Sequence, residues 1–206
     1  MFYRIENIPD EQTMQAVVAR LLPLVPLQRR EKALRYKHLH GQYCCLRAWK
    51  LLHELLTEHA FLPAAFPLEQ LTYTEDEYGK PRLTLADAIS THCFSISHTK
   101  NALAVAVSSK SVGIDVEAIV SLRRAEDVPL LERTMSAAER QRIAASQEPS
   151  KVFTELWTRK EALYKAIGTG IHFDTLPAIL DSVQADAFRI TSACTDCYAY
   201  AIAMKS

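Results

Sequence analysis

The chain has 206 residues, of which 49% are apolar, enough to bury the core of one large or two small domains. Its 24 basic and 24 acidic residues cancel, which argues against a nucleic-acid-binding protein that relies on its overall field. The sequence contains neither a run of eighteen apolar residues nor the apolar core of a signal peptide, so we expect a cytoplasmic protein without a membrane segment.

The five cysteines do not indicate a disulfide framework. Their number is odd, and the chain is too long to need disulfides for stability. Cys194 and Cys197 form one CxxC sequence, but there is no second pair, and a strand pattern follows where a redox motif has a helix. We therefore predict reduced thiols and no zinc site.

Residues 27–59 have the apolar spacing and the good helix formers of one or two helices. The segment opens with the densest basic run of the chain, RREKALRYKH. Arg29, Lys32 and Tyr36 recur there at intervals of three and four residues, so they share one side of a helix. This pattern is equally compatible with a solvated surface and with a binding surface.

Residues 68–74 are predicted to form a strand, which a turn follows. Gly79 permits a positive φ in that turn, and Pro81 forces Lys80 into an extended conformation. We expect the turn to hold Lys80 outward.

A hairpin is predicted next, from strands at residues 92–97 and 102–108. Ser97 and His98 lie where it turns. A histidine at this place is more often a turn residue than a ligand.

The strand at residues 112–117, VGIDVE, has a period of two that places Gly113, Asp115 and Glu117 on one face. The two carboxylates are then about 7 Å apart along the strand. Such a pair suits a bound cation, but it also suits an exposed edge strand protected by acids. Gly113 beside them is expected to leave room for a ligand to approach the backbone.

The rest of the chain adds further helices and strands. The patterns predict a charged loop at residues 122–131 and a helix at 137–145 that begins with a capping box. They also predict strands at residues 182–190 and 198–204. Two halves, about 1–111 and 112–206, each contain helical and strand patterns, which suggests a pseudo-repeated α+β architecture.

The segment that organises the chain is 153–170, FTELWTRKEALYKAIGTG. As a helix it carries one apolar stripe, formed by Val152, Leu156, Leu163 and Ile167. Glu161 and Lys165 are four residues apart on the opposite side and share a face. That pair could touch a phosphate and its metal, although an ordinary ion pair on a solvated face gives the same pattern.

Asp115, Glu117 and Glu161 would together supply three hard oxygen ligands, which suit Mg²⁺ or Mn²⁺ better than zinc. Magnesium commonly takes substrate phosphates as its remaining ligands, so a phosphorylated substrate and diphosphate chemistry are predicted. The residues that could balance the charge of the phosphates are Lys165, Lys160, Lys80, Lys32, Arg29 and His98.

These motifs resemble those of the 4′-phosphopantetheinyl transferases, specifically the larger pseudodimeric type that activates peptide synthetases such as surfactin synthetase. VGIDVE is similar to the family's G-[IV]-D-[IV]-E strand, and residues 157–170 are similar to its W-x-x-K-E-[AS]-x-x-K-x-x-G-x-G helix. Minor matches at 29–32, 78–81 and 94–98 follow in family order, so the resemblance runs from residue 29 to residue 170.

The resemblance implies an α+β fold with a pseudo-twofold pair of lobes, each a small antiparallel sheet packed by a long helix. The N-terminal lobe, residues 1–111, would contact the nucleotide of coenzyme A. The C-terminal lobe, residues 112–206, would carry the metal and the catalytic residues.

The implied reaction is transfer of 4′-phosphopantetheine from coenzyme A to a serine of an apo acyl or peptidyl carrier protein, with release of 3′,5′-ADP. The cofactor would be Mg²⁺, with Mn²⁺ as an alternative. We expect a monomer that binds neither nucleic acid nor membranes.

The resemblance also assigns roles to residues. Asp115, Glu117 and Glu161 would hold the metal, Glu161 would also act as the base, and Lys165 would stabilise or protonate the leaving phosphate. The predicted contacts to coenzyme A are Arg29, Lys32, Lys80, Ser97, His98 and Lys160. Relatives often have an arginine and a serine or threonine where this chain has Cys44 and Cys45, so part of the coenzyme A pocket is expected to differ.

Two other functions fit the same residues. One is a catalytically idle module that docks acidic carrier proteins through the basic face at 29–38 and the Arg123–Arg124 loop. The other is a different Mg²⁺-dependent nucleotide diphosphate enzyme, such as a hydrolase, although the sequence has neither a Gly-rich phosphate loop nor the repeated acidic helix of a hydrolase.

Overall fold

The structure is a computed structural model that describes residues 1–85, 88–123 and 127–206. The chain divides into two units, Met1–Lys110 and Ser111–Ser206. Arg124, half of the Arg123–Arg124 loop in the docking hypothesis, lies outside the described residues.

The described residues of unit 1 form two three-stranded antiparallel sheets, with strand orders β1-β6-β5 and β2-β3-β4, and three α-helices. Its elements in chain order are β1 (Phe2–Asn7), α1 (Glu11–Leu21), α2 (Leu27–Leu34), α3 (Leu39–Glu58), β2 (Thr72–Glu75), β3 (Pro81–Leu85), β4 (Ala88–Ile89), β5 (Cys93–His98) and β6 (Ala102–Ser108).

The core of unit 1 lies between α3 and the sheet that contains β6. All seven residues of β6 are buried, and its bulky residues Leu103, Val105 and Val107 belong to one cluster with the apolar side of α3. Trp49 of α3 is fully buried, and its indole N–H donates a 3.2 Å hydrogen bond to Leu71 O. This burial of α3 explains the helical spacing of its leucines.

Residues 111–123 and 127–206 of unit 2 form one three-stranded antiparallel sheet with the strand order β7-β9-β8, four α-helices and a 3₁₀ segment, Leu176–Asp181. Its helices and strands in chain order are β7 (Val112–Ala118), α4 (Val128–Thr134), α5 (Ala137–Ala145), α6 (Pro149–Ile167), α7 (Val183–Asp186), β8 (Phe188–Cys194) and β9 (Tyr198–Lys205).

Helix α6 approaches the sheet of unit 2 closely because that face carries small residues. A Cβ at Gly113 would lie 2.1 Å from Ala162 O and 2.4 Å from Ala166 N, which only a glycine avoids. Ser111 Oγ donates a 2.5 Å hydrogen bond to Ala166 O at the same contact. The prediction that Gly113 leaves room for a ligand is therefore wrong, since the backbone of α6 fills that room.

The two ends of α6 follow simple sequence signals. Pro149 lies in the first turn, where a missing N–H costs nothing. Gly168 closes the helix at φ 93°, and its N–H donates a 2.7 Å hydrogen bond to Tyr164 O.

The α+β class, the hairpin of β5 and β6, and the capping box of α5 are confirmed. Gly79 has φ +77°, as the predicted turn requires. Each unit combines a three-stranded antiparallel sheet with a long helix, and the pseudo-twofold relation of two lobes stays a prediction. None of the described helices is both long and apolar enough to span a membrane.

Other predictions were wrong or incomplete. Residues 68–70 form a 3₁₀ turn before β2 begins, and α4 starts inside the segment predicted as a charged loop. Residues 183–186 form a short helix where a strand was expected, because Ser182 caps it through Ala185 N. The sequence patterns also missed β1 and α1; β1 is defined by its six-residue pairing with β6, which is distant in sequence.

Candidate metal centre

Three carboxylates meet in unit 2. Asp115 and Glu117 project from β7 and Glu161 from α6, and one oxygen of each lies within 4.8 Å of the others. Asp115 is fully buried, while Glu117 and Glu161 are partly exposed. Among the residues that the structure describes, no other group of three or more His, Cys, Asp or Glu side chains has such an arrangement.

The local fold explains why these acids meet. Alternate residues of a strand share a face, so Asp115 and Glu117 lie on the same side of β7 as Gly113. Because Gly113 lets α6 pack directly on that face, the residue next to Ala162, Glu161, lies beside the two acids of the strand. The close packing of strand and helix therefore places the third carboxylate.

Two further side chains complete the centre. Lys165 Nζ lies 2.6 Å from Asp115 Oδ1, and the Lys165 side chain is 33% exposed. The indole of Trp157 lies near the Glu161 carboxylate and acts to lower its pKa. Sequence spacing placed Lys165 on the face of Glu161, but it could not identify Asp115 as the partner of that lysine.

Burial and neighbouring charge raise the pKa values of two of the carboxylates, Glu117 and Glu161. Burial, followed by the charge of Asp115, raises the pKa of Glu117 to about 7, although Lys165 acts in the opposite direction. Burial and the same acid raise the pKa of Glu161 to about 7, against the opposing effects of Lys165 and Trp157. The centre therefore holds more negative charge than its lysine balances.

The donor set fits Mg²⁺ or Mn²⁺. Three carboxylate oxygens are hard ligands, and magnesium is usually held by one or two carboxylates, waters and substrate phosphates. Burial and, after it, the charge of Asp115 raise the two pKa values, and a divalent cation would offset both effects by favouring the ionised carboxylates. Asp115, Glu117 and Glu161 are thus suited to hold such an ion with coordination positions left for a phosphate.

Arg29 and Lys32, the predicted coenzyme A contacts on α2, lie in unit 1 next to aromatic rings. The Arg29 guanidinium is 4.0 Å from the centroid of Trp49 and 5.2 Å from that of Tyr73, and Lys32 Nζ is 5.7 Å from the Tyr73 centroid. Arg29 is 7% exposed, and its Nη1 lies 3.6 Å from Cys45 Sγ. Within the described residues, Arg29 Nε is buried without a hydrogen-bond partner.

The other predicted contacts of unit 1 lie at the ends of strands. Lys80 is half-buried rather than held outward; burial lowers its pKa, and its backbone N–H donates a 2.9 Å hydrogen bond to Asp76 Oδ1. Ser97 is buried and His98 exposed at the end of β5, and the His98 ring lies 6.1 Å from that of His40.

Lys160 has a different environment from the other predicted coenzyme A contacts. It is fully buried, and its Nζ is 2.7 Å from Glu139 Oε2 and also contacts three backbone carbonyl oxygens. This geometry favours a structural role over the predicted contact with a phosphate. The sequence showed Glu139 only as part of a capping box and gave no signal for its second role.

Comparison with known proteins agrees with the family resemblance of the sequence motifs. Residues 111–202 match the family model of the 4′-phosphopantetheinyl transferase superfamily, and this segment contains all three acids. The chain is 28% identical over 166 residues to the 4′-phosphopantetheinyl transferase psf-1 of Bacillus pumilus, covering 80% of this chain. It is 29% identical over 174 residues to the transferase gsp of Aneurinibacillus migulanus, covering 84% of this chain.

A third similar protein, the transferase ffp of Bacillus subtilis, is 27% identical over 164 residues, which is 79% of this chain and 68% of the relative. The match spans 66% of the length of psf-1 and of gsp, so about one third of each relative lies outside the match.

Proposed function

We propose a function for this chain from its similarity to the 4′-phosphopantetheinyl transferase superfamily. It transfers the 4′-phosphopantetheine group of coenzyme A to a serine hydroxyl of an apo carrier protein and releases 3′,5′-ADP. The reaction depends on Mg²⁺, with Mn²⁺ as an alternative.

One observation carries the proposal: the carboxylates of Asp115, Glu117 and Glu161 converge within 4.8 Å, inside the segment that matches the family model. Bound there, Mg²⁺ supplies positive charge to the diphosphate of coenzyme A. A module that only docks carrier proteins has no need of three converging carboxylates, one of them fully buried.

Glu161 is the proposed base. It is the partly exposed acid of α6 in the centre, so its carboxylate is accessible to accept the proton of an incoming serine. The serine oxygen forms a bond to the β-phosphorus, the bond from that phosphorus to the bridging oxygen breaks, and the serine proton passes to Glu161.

Lys165 is proposed to stabilise the leaving 3′,5′-ADP. Its ammonium is fixed next to the acids by Asp115, at 2.6 Å, and its side chain is 33% exposed, so it has room for a phosphate oxygen. A positive charge at this place stabilises the negative charge that develops on the leaving phosphate.

The nucleotide of coenzyme A is proposed to contact residues of unit 1. Arg29 supports this, because its buried Nε has no acceptor within the described residues and would donate a charge-assisted hydrogen bond to a phosphate oxygen. The remaining candidates, proposed from the resemblance, are Lys32, Lys80, Ser97 and His98.

The test is incubation of the protein with coenzyme A, Mg²⁺ and a panel of apo carrier proteins, followed by intact-mass measurement of the carriers. We expect the mass of phosphopantetheine on the carrier serine, and its loss in Glu161→Gln. A matched control is Glu148→Gln, because Glu148 is an exposed acid at the start of the same helix.

Coenzyme A binding without modification of any carrier would support the docking function instead. Release of 3′,5′-ADP without a carrier would support a hydrolase. Full activity of Glu161→Gln would exclude the proposed base.

A further inference from the structure

Lys160 is 0% exposed, and its ammonium is enclosed by oxygen atoms. Nζ lies 2.7 Å from Glu139 Oε2, 2.9 Å from Thr134 O, 3.0 Å from Leu176 O and 2.7 Å from Pro177 O. An ammonium has three N–H donors, so these four oxygens fully occupy it. Lys160 therefore has no donor left for a substrate.

The four oxygens come from three separate segments of unit 2. Thr134 ends α4, Glu139 lies in the first turn of α5, and Leu176 and Pro177 open the 3₁₀ segment. Glu139 Oε2 is itself held by the backbone N–H of Ser136 at 2.7 Å. One side chain of α6 is thus bound to a preorganised group of acceptors.

Lys160 lies on the side of α6 that faces away from β7. Successive helical residues are about 100° apart, so Lys160 and Ala162 project about 160° apart around the helix axis. Ala162 is the residue whose carbonyl oxygen packs against Gly113. The helix is therefore held from two opposite sides, and Glu161 lies between the two contacts.

The rotation of α6 matters for the metal centre because a metal ligand such as Glu161 must be placed precisely. A rotation of α6 by about 20° would move a side-chain atom near the helix surface by about 2 Å. Ligand distances in metal sites are defined to about 0.2 Å. Apolar packing alone is less directional than four hydrogen bonds to one atom, and a buried ion pair usually adds little stability over apolar residues of similar size.

We propose that Lys160 is a positioning residue: its bonds to Glu139 and the three carbonyl oxygens fix the rotation of α6, and thereby hold Glu161 against Asp115 and Glu117. The inference rests on the proposed metal centre. It predicts that loss of these bonds weakens metal binding although Lys160 does not touch the metal.

The test is Mn²⁺ affinity, measured by titration calorimetry, of the Lys160→Met, Glu139→Gln double variant. The double variant leaves no uncompensated charge in the interior, and the amide oxygen of the new side chain can still accept the hydrogen bond from Ser136 N. We expect Mn²⁺ binding to weaken about tenfold or more, the range found for residues that orient metal ligands. Urea unfolding checks that the variant remains cooperatively folded.

The matched control is Lys151→Met on the same helix. Lys151 forms ion pairs with Glu148 at 2.7 Å and Asp196 at 2.9 Å, and its side chain is 30% exposed. Its loss removes a lysine of α6 without changing the rotation of the helix, so Mn²⁺ affinity should stay within about twofold of wild type.

A second readout follows the position of Glu161 directly. The indole of Trp157 lies near the Glu161 carboxylate, so its nitrogen–proton NMR signal should shift in the double variant and not in Lys151→Met. If the double variant does not fold cooperatively, Glu139→Gln alone, which keeps Lys160 and weakens its charged bond, should show a smaller change in the same direction.

Unchanged Mn²⁺ affinity in a folded variant would overturn the inference, as would an unmoved Trp157 signal. A wild-type protein that binds Mn²⁺ but modifies no carrier would instead contradict the proposed function and leave this test intact.

Discussion

Lys165 Nζ lies 2.6 Å from Asp115 Oδ1, so an ammonium of α6 is paired with the fully buried acid of β7. This ion pair belongs to a centre with two more carboxylates, Glu117 and Glu161. Lysine and metal ion therefore have related electrostatic roles, since each offsets the repulsion among the three acids.

Lys165→Met should destabilise the metal-free protein by about 1–3 kcal/mol, because a buried acid loses a charged partner, with part of the effect screened by solvent at the exposed lysine. Mg²⁺ should reduce this loss, since the cation supplies the missing positive charge. Urea unfolding with EDTA and with Mg²⁺ measures both values. Equal losses under the two conditions would show that the lysine and the metal do not share a site.

The pH dependence of stability has a definite sign. The pKa of Glu117 is about 7 in the folded chain, against 4.5 for an ordinary glutamate, so the folded state binds more protons between these pH values. The stability of the metal-free protein should therefore fall as pH rises through this window. In EDTA, urea unfolding at about pH 5 and about pH 8 should show a larger decrease for wild type than for Glu117→Gln. Parallel behaviour of the two proteins would contradict the raised pKa.

Metal binding should have the opposite pH dependence. A cation must displace the protons of Glu117 and Glu161, whose pKa values are both about 7, so Mn²⁺ affinity should rise from about pH 6 to about pH 8. Calorimetric titration at these pH values measures it. An affinity that is independent of pH would mean that the ion binds elsewhere.

Gly113→Ala should disturb the centre through the backbone. Its Cβ would meet Ala162 O at 2.1 Å, so α6 must move away from β7, at a cost of about 1–3 kcal/mol and with weaker Mn²⁺ binding. Gly170→Ala is the control, because Gly170 has φ +75° but a Cβ added there would have no atom within 4 Å. It should cost about 1–2 kcal/mol from strain and leave Mn²⁺ affinity unchanged.

If Gly113→Ala retained wild-type Mn²⁺ affinity, close packing of α6 on β7 would not be what places Glu161. Thermal unfolding of both glycine variants separates the loss of stability from the loss of binding.

The cysteines should differ sharply in reactivity. None of the five cysteines forms a disulfide, and Cys194 and Cys197 are exposed. Cys44 is buried, and burial raises its pKa to about 12, so little of its reactive thiolate exists near neutral pH. Alkylation followed by peptide mass spectrometry should label Cys194 and Cys197 in the native protein and Cys44 only after unfolding. Rapid native labelling of Cys44 would contradict its burial.

The acid triad could be predicted because each part has a local signature. The period of two placed Asp115 and Glu117 on one face of a strand, and a spacing of four placed Glu161 and Lys165 on one face of a helix. That the strand and the helix meet required the family resemblance, because spacing within an element says nothing about its packing partner.

The environment of Lys160 could not be predicted in the same way. Three of its four acceptors are backbone carbonyl oxygens, which every residue carries and which leave no trace in the sequence. Gly113 was misjudged for a related reason: a glycine indicates a close approach, but the sequence does not say whether a ligand or a helix makes it.

The central claim is that one divalent cation is held jointly by Asp115, Glu117 and Glu161. Anomalous diffraction from crystals grown with Mn²⁺ tests it most directly. A single peak about 2.1 Å from an oxygen of each of the three side chains is the predicted result. A peak that contacts only one of these acids, or that lies at other residues, would contradict it.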